Sequence, residues 1–208
     1  MGATFIKRAD PGQPRHFDSE EEFAAWCDED SDAEYVDGEV IMPTPASIAH
    51  DDMLTWLSNL MRLFVDKHEL GKVLGAGHVQ VRLRPGLRRN PDIVFVARHR
   101  QHLLREAYIE GAPDLIVEWV SPESTVRDWH DKLQDYEAAG VREYWIIDAQ
   151  LKRVELNAIG DDGRYHLVEA HDDKLRSNAL TGFWIKPEWL WRESLPRVNE
   201  AAGELGLI

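Results

Sequence analysis

The spacing of apolar residues changes period several times along the chain, and each change marks an element. From about Ala46 to Glu69, Met53, Leu54, Leu57, Leu60, Met61, Phe64 and Val65 recur at three- and four-residue intervals. This predicts one long amphipathic helix, ended near Gly71. Upstream, Ser19 and Glu22 stand at capping-box spacing, and Phe23 and Trp26 give a short helix one apolar face. Tyr35-Val36 and Glu39–Met42 flank Asp37-Gly38, a dipeptide whose tolerance of positive φ suits a tight hairpin.

Three stretches rich in β-forming residues follow: Lys72–Leu83, Pro91–Ala97 and Pro113–Ser121. The first alternates, whereas the other two are nearly continuous apolar runs, as in strands covered on both faces. Pro122 ends the third, and Ser124 can open a helix that runs to Ala139 and stops at Gly140. Glu143–Asp148 reads as another buried strand, and Arg153–Ile159 with Tyr165–Glu169 as a hairpin across Asp161, Asp162 and Gly163. The less regular C-terminal part carries Trp184, Trp189 and Trp191, which suit core or dimer packing better than base stacking. The order predicts a mixed α/β fold, with helices flanking a central mixed β-sheet. At 208 residues the chain fits one domain over 17–195, with an irregular lead-in (1–16) and a C-terminal tail (196–208).

Charge complicates the choice of partner. The net charge of −14 argues against a polyanion, since nonspecific affinity for nucleic acid comes from Lys and Arg. The acid is concentrated, however: residues 1–60 carry −11, leaving −3 for the other 148. Between Arg82 and Arg105 lie seven arginines and a single acid, Asp92. Arg82, Arg84, Arg88 and Arg89 are therefore candidates to hold phosphates, against the plainer reading of a solvated basic strand edge. A lone cysteine, Cys27, cannot form an intramolecular disulfide, and no apolar run approaches the roughly 20 residues of a membrane span. The expected setting is the cytoplasm, away from membranes.

Candidate chemistry lies where carboxylates interrupt apolar strands. Asp92 opens the run Ile93-Val94-Phe95-Val96, at a sheet end. In Pro113–Val120, alternation puts Asp114, Ile116, Glu118 and Val120 on one face, so Glu118 has apolar neighbours on both sides. A charged carboxylate there costs several kcal/mol unless paired. A divalent cation is one such partner, because Mg²⁺ binds through one or two carboxylates plus substrate phosphate oxygens. Lys132 lies on the following helix, with Tyr136 one turn further on the same face. Read without a cation, Asp92 and Asp114 are strand-start caps, Lys132 a solvated helix lysine and Tyr136 packing.

The segments Tyr35–Pro45, Pro91–Val96, Gly111–Pro122 and Lys132–Asp148, above all GAPDLIVEWVSP followed by DKLQDYEAAGVREYWIID, resemble the putative restriction endonuclease family of bacterial proteins, within the restriction-endonuclease-like PD-(D/E)XK superfamily. The likeness runs from about Phe17 to Leu190. It implies Asp92 and Glu118 as the paired acids that hold catalytic Mg²⁺ (or Mn²⁺). Val120 stands where the motif lysine is usual, and Lys132 from the next helix takes its place. The resemblance also implies an upstream acid and a helix residue near the site, matched by Glu39 and His50, with Asp114 and Tyr136 as further candidates. A homodimer follows from the same likeness.

The function expected is metal-dependent hydrolysis of DNA phosphodiester bonds. The alternatives are a noncatalytic DNA- or protein-binding regulatory module that keeps the fold, or hydrolysis of RNA or another phosphoester.

Overall fold

In the computed structural model the described residues are 15–27, 33–42, 47–75, 79–120 and 127–208. Most of the lead-in and the helix start expected at Ser124 lie outside them. The elements run β1 (Arg15–His16), α1 (Glu20–Trp26), β2 (Glu34–Val36), β3 (Glu39–Ile41), α2 (Ile48–Lys67), β4 (Gly71–Gly75), β5 (Gln80–Arg84), β6 (Leu87–Arg89), β7 (Ile93–Ala97), β8 (Tyr108–Glu110) and β9 (Leu115–Val120). A π-helical turn over Arg127–Lys132 leads into α3 (Leu133–Ala139), followed by β10 (Glu143–Asp148), β11 (Arg153–Ile159), β12 (Tyr165–Leu167), β13 (Leu175–Arg176), β14 (Trp184–Ile185) and α4 (Val198–Glu204).

Local chemistry sets several of these boundaries. Ser19 caps α1 by accepting the N–H of Glu22, and Ser47 caps α2 by accepting that of His50. Asp37 (φ 47°) and Gly38 (φ 104°) form the β2–β3 turn, a left-handed pair that other residues adopt only at a cost.

The central sheet is mixed, ordered β12-β11-β10-β9-β7-β4, with β9 and β10 parallel and the other neighbours antiparallel. The long stretch Lys72–Leu83 does not form one strand: β4 belongs to this sheet, whereas β5 belongs to a second. Of that second six-stranded sheet, β1-β3-β2-β6-β5-β8, the sequence reading has only the β2–β3 hairpin and no sheet around it. Its strands are only two to five residues long, too short for alternation to stand out.

The two faces of the central sheet carry separate apolar clusters. Leu115, Val117, Trp145 and Ile147 pack toward α2 and α4, and Ile116, Val120, Tyr144 and Ile146 pack with Tyr136 of α3 and with Val81 and Leu87 of the second sheet. Alternation along β9 thus sends successive residues into different cores. Residues 196–208 are part of the first core: Ala201 and Ala202 are fully buried, and Lys67 Nζ donates to the carbonyls of Gly206 and Leu207.

Glu143, at the start of β10, fastens the distal chain. Its buried carboxylate accepts from Trp145 Nε1 (2.6 Å), Ser177 Oγ (2.7 Å) and the N–H groups of Asn178 and Ala179. Burial raises its pKa, opposed by those four donors. Among the described residues no helix is long and apolar enough to cross a membrane.

Candidate active site

β7 and β9 pair antiparallel with Ile93 opposite Val117. Continuing that register sets Asp92, just before β7, across from Glu118. The backbone N–H of Trp119 donates to Asp92 Oδ2 at 2.6 Å, fixing the carboxylate at the mouth of the strand pair. The approach of β4 to this point requires glycine, since a Cβ at Gly75 would stand 2.7 Å from the carbonyl oxygen of Asp92.

Glu118 projects into the second cluster and is 3% exposed. Its Oε1 accepts from Lys132 Nζ at 2.8 Å and from Tyr136 OH at 2.7 Å. The four-residue spacing of Lys132 and Tyr136 brings both to one oxygen. Burial, with the Glu118 charge adding to it, holds the Tyr136 phenol well above its usual pKa, so at neutral pH the hydroxyl is a donor.

Lys132 has a second carboxylate, Glu34 Oε1, at 2.9 Å. Glu34 comes from β2 in the other sheet, and its Oε2 meets Arg89 Nη1 at 2.8 Å. Arg89 in turn contacts Asp135 Oδ2 at 2.5 and 3.0 Å. Burial alone would lower the Arg89 pKa, but Glu34 and Asp135 carry it above the usual arginine value. Charges therefore alternate along Glu118, Lys132, Glu34, Arg89 and Asp135, and each of the first four is less than a tenth exposed. Such a series is tolerated in a low-dielectric interior because every charge has an opposite neighbour.

His50, at the third position of α2, is stacked on Trp119 with ring centroids 5.6 Å apart. Its Nε2 lies 3.5 Å from Asp92 Oδ1, shielded from solvent and without a hydrogen bond among the described residues. Asp92, Glu118, Lys132, Tyr136 and His50 thus gather at one end of the β7–β9 pair.

Asp114 and Glu39 do not join them. Asp114, at the opposite end of that pair, accepts from the Ala97 N–H at 2.8 Å and from Arg100 at 3.1 Å, a strand-end fastening. Glu39 is exposed on β3, paired with Val36 and His16. The upstream acid that the structure brings to Lys132 is Glu34. Its signal is the one that exposed Glu118, a carboxylate within an otherwise buried apolar stretch, here Ala33-Glu34-Tyr35.

The arginine strip has partners within the chain. Arg82 binds Glu20 (2.6 Å) and Glu110 (3.0 Å), Arg88 binds Glu20 (2.6 Å) and Gln80 (2.7 Å), and Arg84 grips both oxygens of Asp37 at 2.8 Å. With Arg89 held by Glu34 and Asp135, the four arginines face Glu20, Glu34, Asp37, Glu110 and Asp135. Although burial opposes it, these bonds draw the Glu20 pKa down from 4.5 to about 2.

A family model described as a putative restriction endonuclease, Uma2, matches residues 20–188. The crystal structure of a putative nuclease of DUF820 from Anabaena variabilis superimposes with a TM-score of 0.67, covering 82% of this chain and 96% of that one. At 16% identity the likeness is one of fold. No curated protein matches the sequence. The family match takes in Glu34, Asp92, Glu118 and Lys132 together, and the chain, which has the restriction-endonuclease-like fold, belongs to the Uma2 family of putative restriction endonucleases.

Proposed function

We propose that the protein is a divalent-metal-dependent endonuclease that hydrolyses DNA phosphodiester bonds. The observation that carries this reading is Glu118: a carboxylate inside an apolar strand, opposite Asp92, with an ammonium and a phenol hydroxyl on one of its oxygens. An arrangement so costly to bury suits a site that handles charge.

The residues fit a Mg²⁺ or Mn²⁺ site of the open kind. Among the described residues no three His, Cys, Asp or Glu side chains gather as a cage. Asp92 and Glu118 would supply two carboxylates, leaving the remaining positions to water and phosphate oxygens. The shielded, unbonded Nε2 of His50 beside Asp92 has room in its chemistry for a bridging water there. When bound, the cation would lower the pKa of water and offset charge on the phosphoryl oxygens.

The chain's own groups do the rest. Lys132, held between Glu118 and Glu34, presents a fixed ammonium to orient a nucleophilic water or a phosphate oxygen. Tyr136 holds Glu118 in one rotamer, and the Trp119 N–H does the same for Asp92. Cutting both strands calls for two copies, and a homodimer is part of this reading; sedimentation of the purified chain checks it.

The test is calorimetric titration of Mn²⁺ into the wild type and Glu118→Ala, with chelator-sensitive nicking of supercoiled DNA in parallel. Weaker metal binding and lost nicking in a folded variant are expected. Equal metal binding in the two proteins removes Glu118 from the site, and metal binding without nicking of DNA or RNA favours a noncatalytic module.

A further inference from the structure

Arg89 lies where the second sheet meets the helix that carries Lys132. The β2–β6 pairing sets Tyr35 opposite Arg88, and continuing that register places Glu34 across from Arg89 on the same face. Lys132 and Asp135 stand three residues apart at the entry to α3, a spacing that puts them side by side on the helix surface. One guanidinium meets both elements. Its Nη1 donates to Glu34 Oε2 at 2.8 Å, and its Nε and Nη2 donate to Asp135 Oδ2 at 3.0 and 2.5 Å. The other oxygen of Glu34 lies 2.9 Å from Lys132 Nζ. Arg89 therefore reaches the ammonium of the site by two routes, through a shared carboxylate and through the helix itself.

At 2% exposure Arg89 has no surface to offer a phosphate. Its neighbours in the sheet are used differently. Arg82 and Arg88 share Glu20 of α1, and Arg84 holds Asp37 of the β2–β3 turn, whereas Arg89 is bonded to α3. A buried ion pair does little for stability, because desolvating both charges offsets their attraction. What it can supply is geometry. The guanidinium is a rigid planar fork, so two carboxylates held on it keep a fixed relation to each other, and a lysine on its flexible four-carbon stem gains a set position from them.

We infer that Arg89 is a positioning residue for Lys132: it sets the Glu34 carboxylate and the entry to α3 so that the ammonium stands where it orients the attacking water or a phosphate oxygen. The inference rests on the hydrolytic reading of the site. On that reading the second sheet, which carries neither Asp92 nor Glu118, contributes to the rate of the chemical step and not to the hold on DNA. Misplacing such a group is costly, about 10²-fold in rate for 1 Å. Arg89→Lys keeps the charge and loses the fork, so it cannot hold Glu34 and Asp135 in the same relation.

The experiment compares the nicking kinetics of the wild type, Arg89→Lys, Lys132→Met and the double variant, with circular dichroism to check folding. In parallel, protein labelled with ¹⁵N at lysine gives a signal for the Lys132 ammonium, whose shielded protons exchange slowly with water, and Lys132→Met identifies that signal by its loss. Arg89→Lys is expected to lower kcat about tenfold or more with KM within about twofold, to shift or broaden the Lys132 signal, and to have little further effect once Lys132 is gone. A loss of the same size in both backgrounds makes Arg89 a part of the fold alone and overturns the inference. So does an unchanged kcat, a raised KM beside it being the mark of a phosphate contact. An unmoved Lys132 signal in folded Arg89→Lys overturns it as well and leaves the hydrolytic reading intact. If the wild type nicks nothing, the hydrolytic reading fails, and the ammonium signal decides by itself whether Arg89 holds Lys132. Should Arg89→Lys not fold, Asp135→Asn, at the more exposed end of the network, is read by the same two measurements with the same expected directions.

Discussion

Lys132 and Glu118 are joined by a buried 2.8 Å ion pair whose partners come from a helix and a strand fourteen residues apart. The helix enters through a π-helical turn that ends at Lys132 itself. Such turns recur at functional sites, because one extra residue per turn re-aims a side chain without ending the helix. A lysine absent from the strand, where Val120 stands, is thereby delivered from outside it.

Lys132→Met should therefore do two things at once. Nicking is expected to fall by a factor of about 10² to 10⁴, the range for loss of a positioned proton-transfer or water-orienting group. Stability should fall by about 3–5 kcal/mol, since Glu118 and Glu34 lose a shared cation in a dry interior. Urea denaturation and a nicking assay on the same preparation measure both.

Glu34 and Glu39 make a discriminating pair. Glu34→Gln removes one of the two carboxylates that hold Lys132 and leaves Arg89 with Asp135 alone, so nicking is expected to drop by roughly tenfold or more, with a loss of about 2–3 kcal/mol in stability. Glu39→Gln, on the exposed side of the hairpin, should change neither measurably. Equal effects of the two substitutions would remove Glu34 from the site.

For the arginines, the expected readout is salt dependence. Each phosphate neutralised contributes about 0.9 to the slope of log affinity against log salt on duplex DNA. Arg82→Ala and Arg88→Ala should leave that slope unchanged and lower the melting temperature, because the partner they lose is Glu20. A slope reduced by about one in either variant would return that arginine to the phosphate track.

Glu20 also sets an acid limit. Its folded-state pKa of about 2 lies below the ordinary 4.5, so its stabilising contribution is complete above pH 4.5 and is lost as pH falls toward 2. At neutral pH that contribution amounts to at most about 3 kcal/mol. Glu20→Gln should be less stable than the wild type at pH 7, with the difference shrinking through that window. Thermal melts across pH 7 to 2 follow it.

The parts legible in the sequence are those where one strong local signal decides. The apolar stripe of α2, the Asp37-Gly38 turn and the runs that became β7, β9 and β10 needed no tertiary information. Glu118 was legible for the same reason, since its neighbours left no inexpensive explanation for a charge. Glu34 carries only a weak local signal, the Ala33 and Tyr35 beside it, and nothing local shows that β2 will pair with β6 and bring Glu34 to Lys132. The partners of the arginines are hidden for a similar reason: Glu20 lies more than sixty residues before Arg82 and Arg88, and Asp37 and Glu34 lie 47 and 55 residues before Arg84 and Arg89. Long-range pairing of short strands leaves little trace in periodicity.

The clasp at Glu143 bears on how the molecule assembles. Thirty-four residues separate Glu143 from Ser177, so this contact closes a long loop, whereas β10 and β11 are consecutive in the chain and pair as a hairpin. The β10–β11 hairpin can therefore form first, and the segment beyond Leu167 docks afterwards. Native-state hydrogen exchange should then find two opening units, with amides of residues 177–195 exchanging together at a lower free energy than those of β9 and β10.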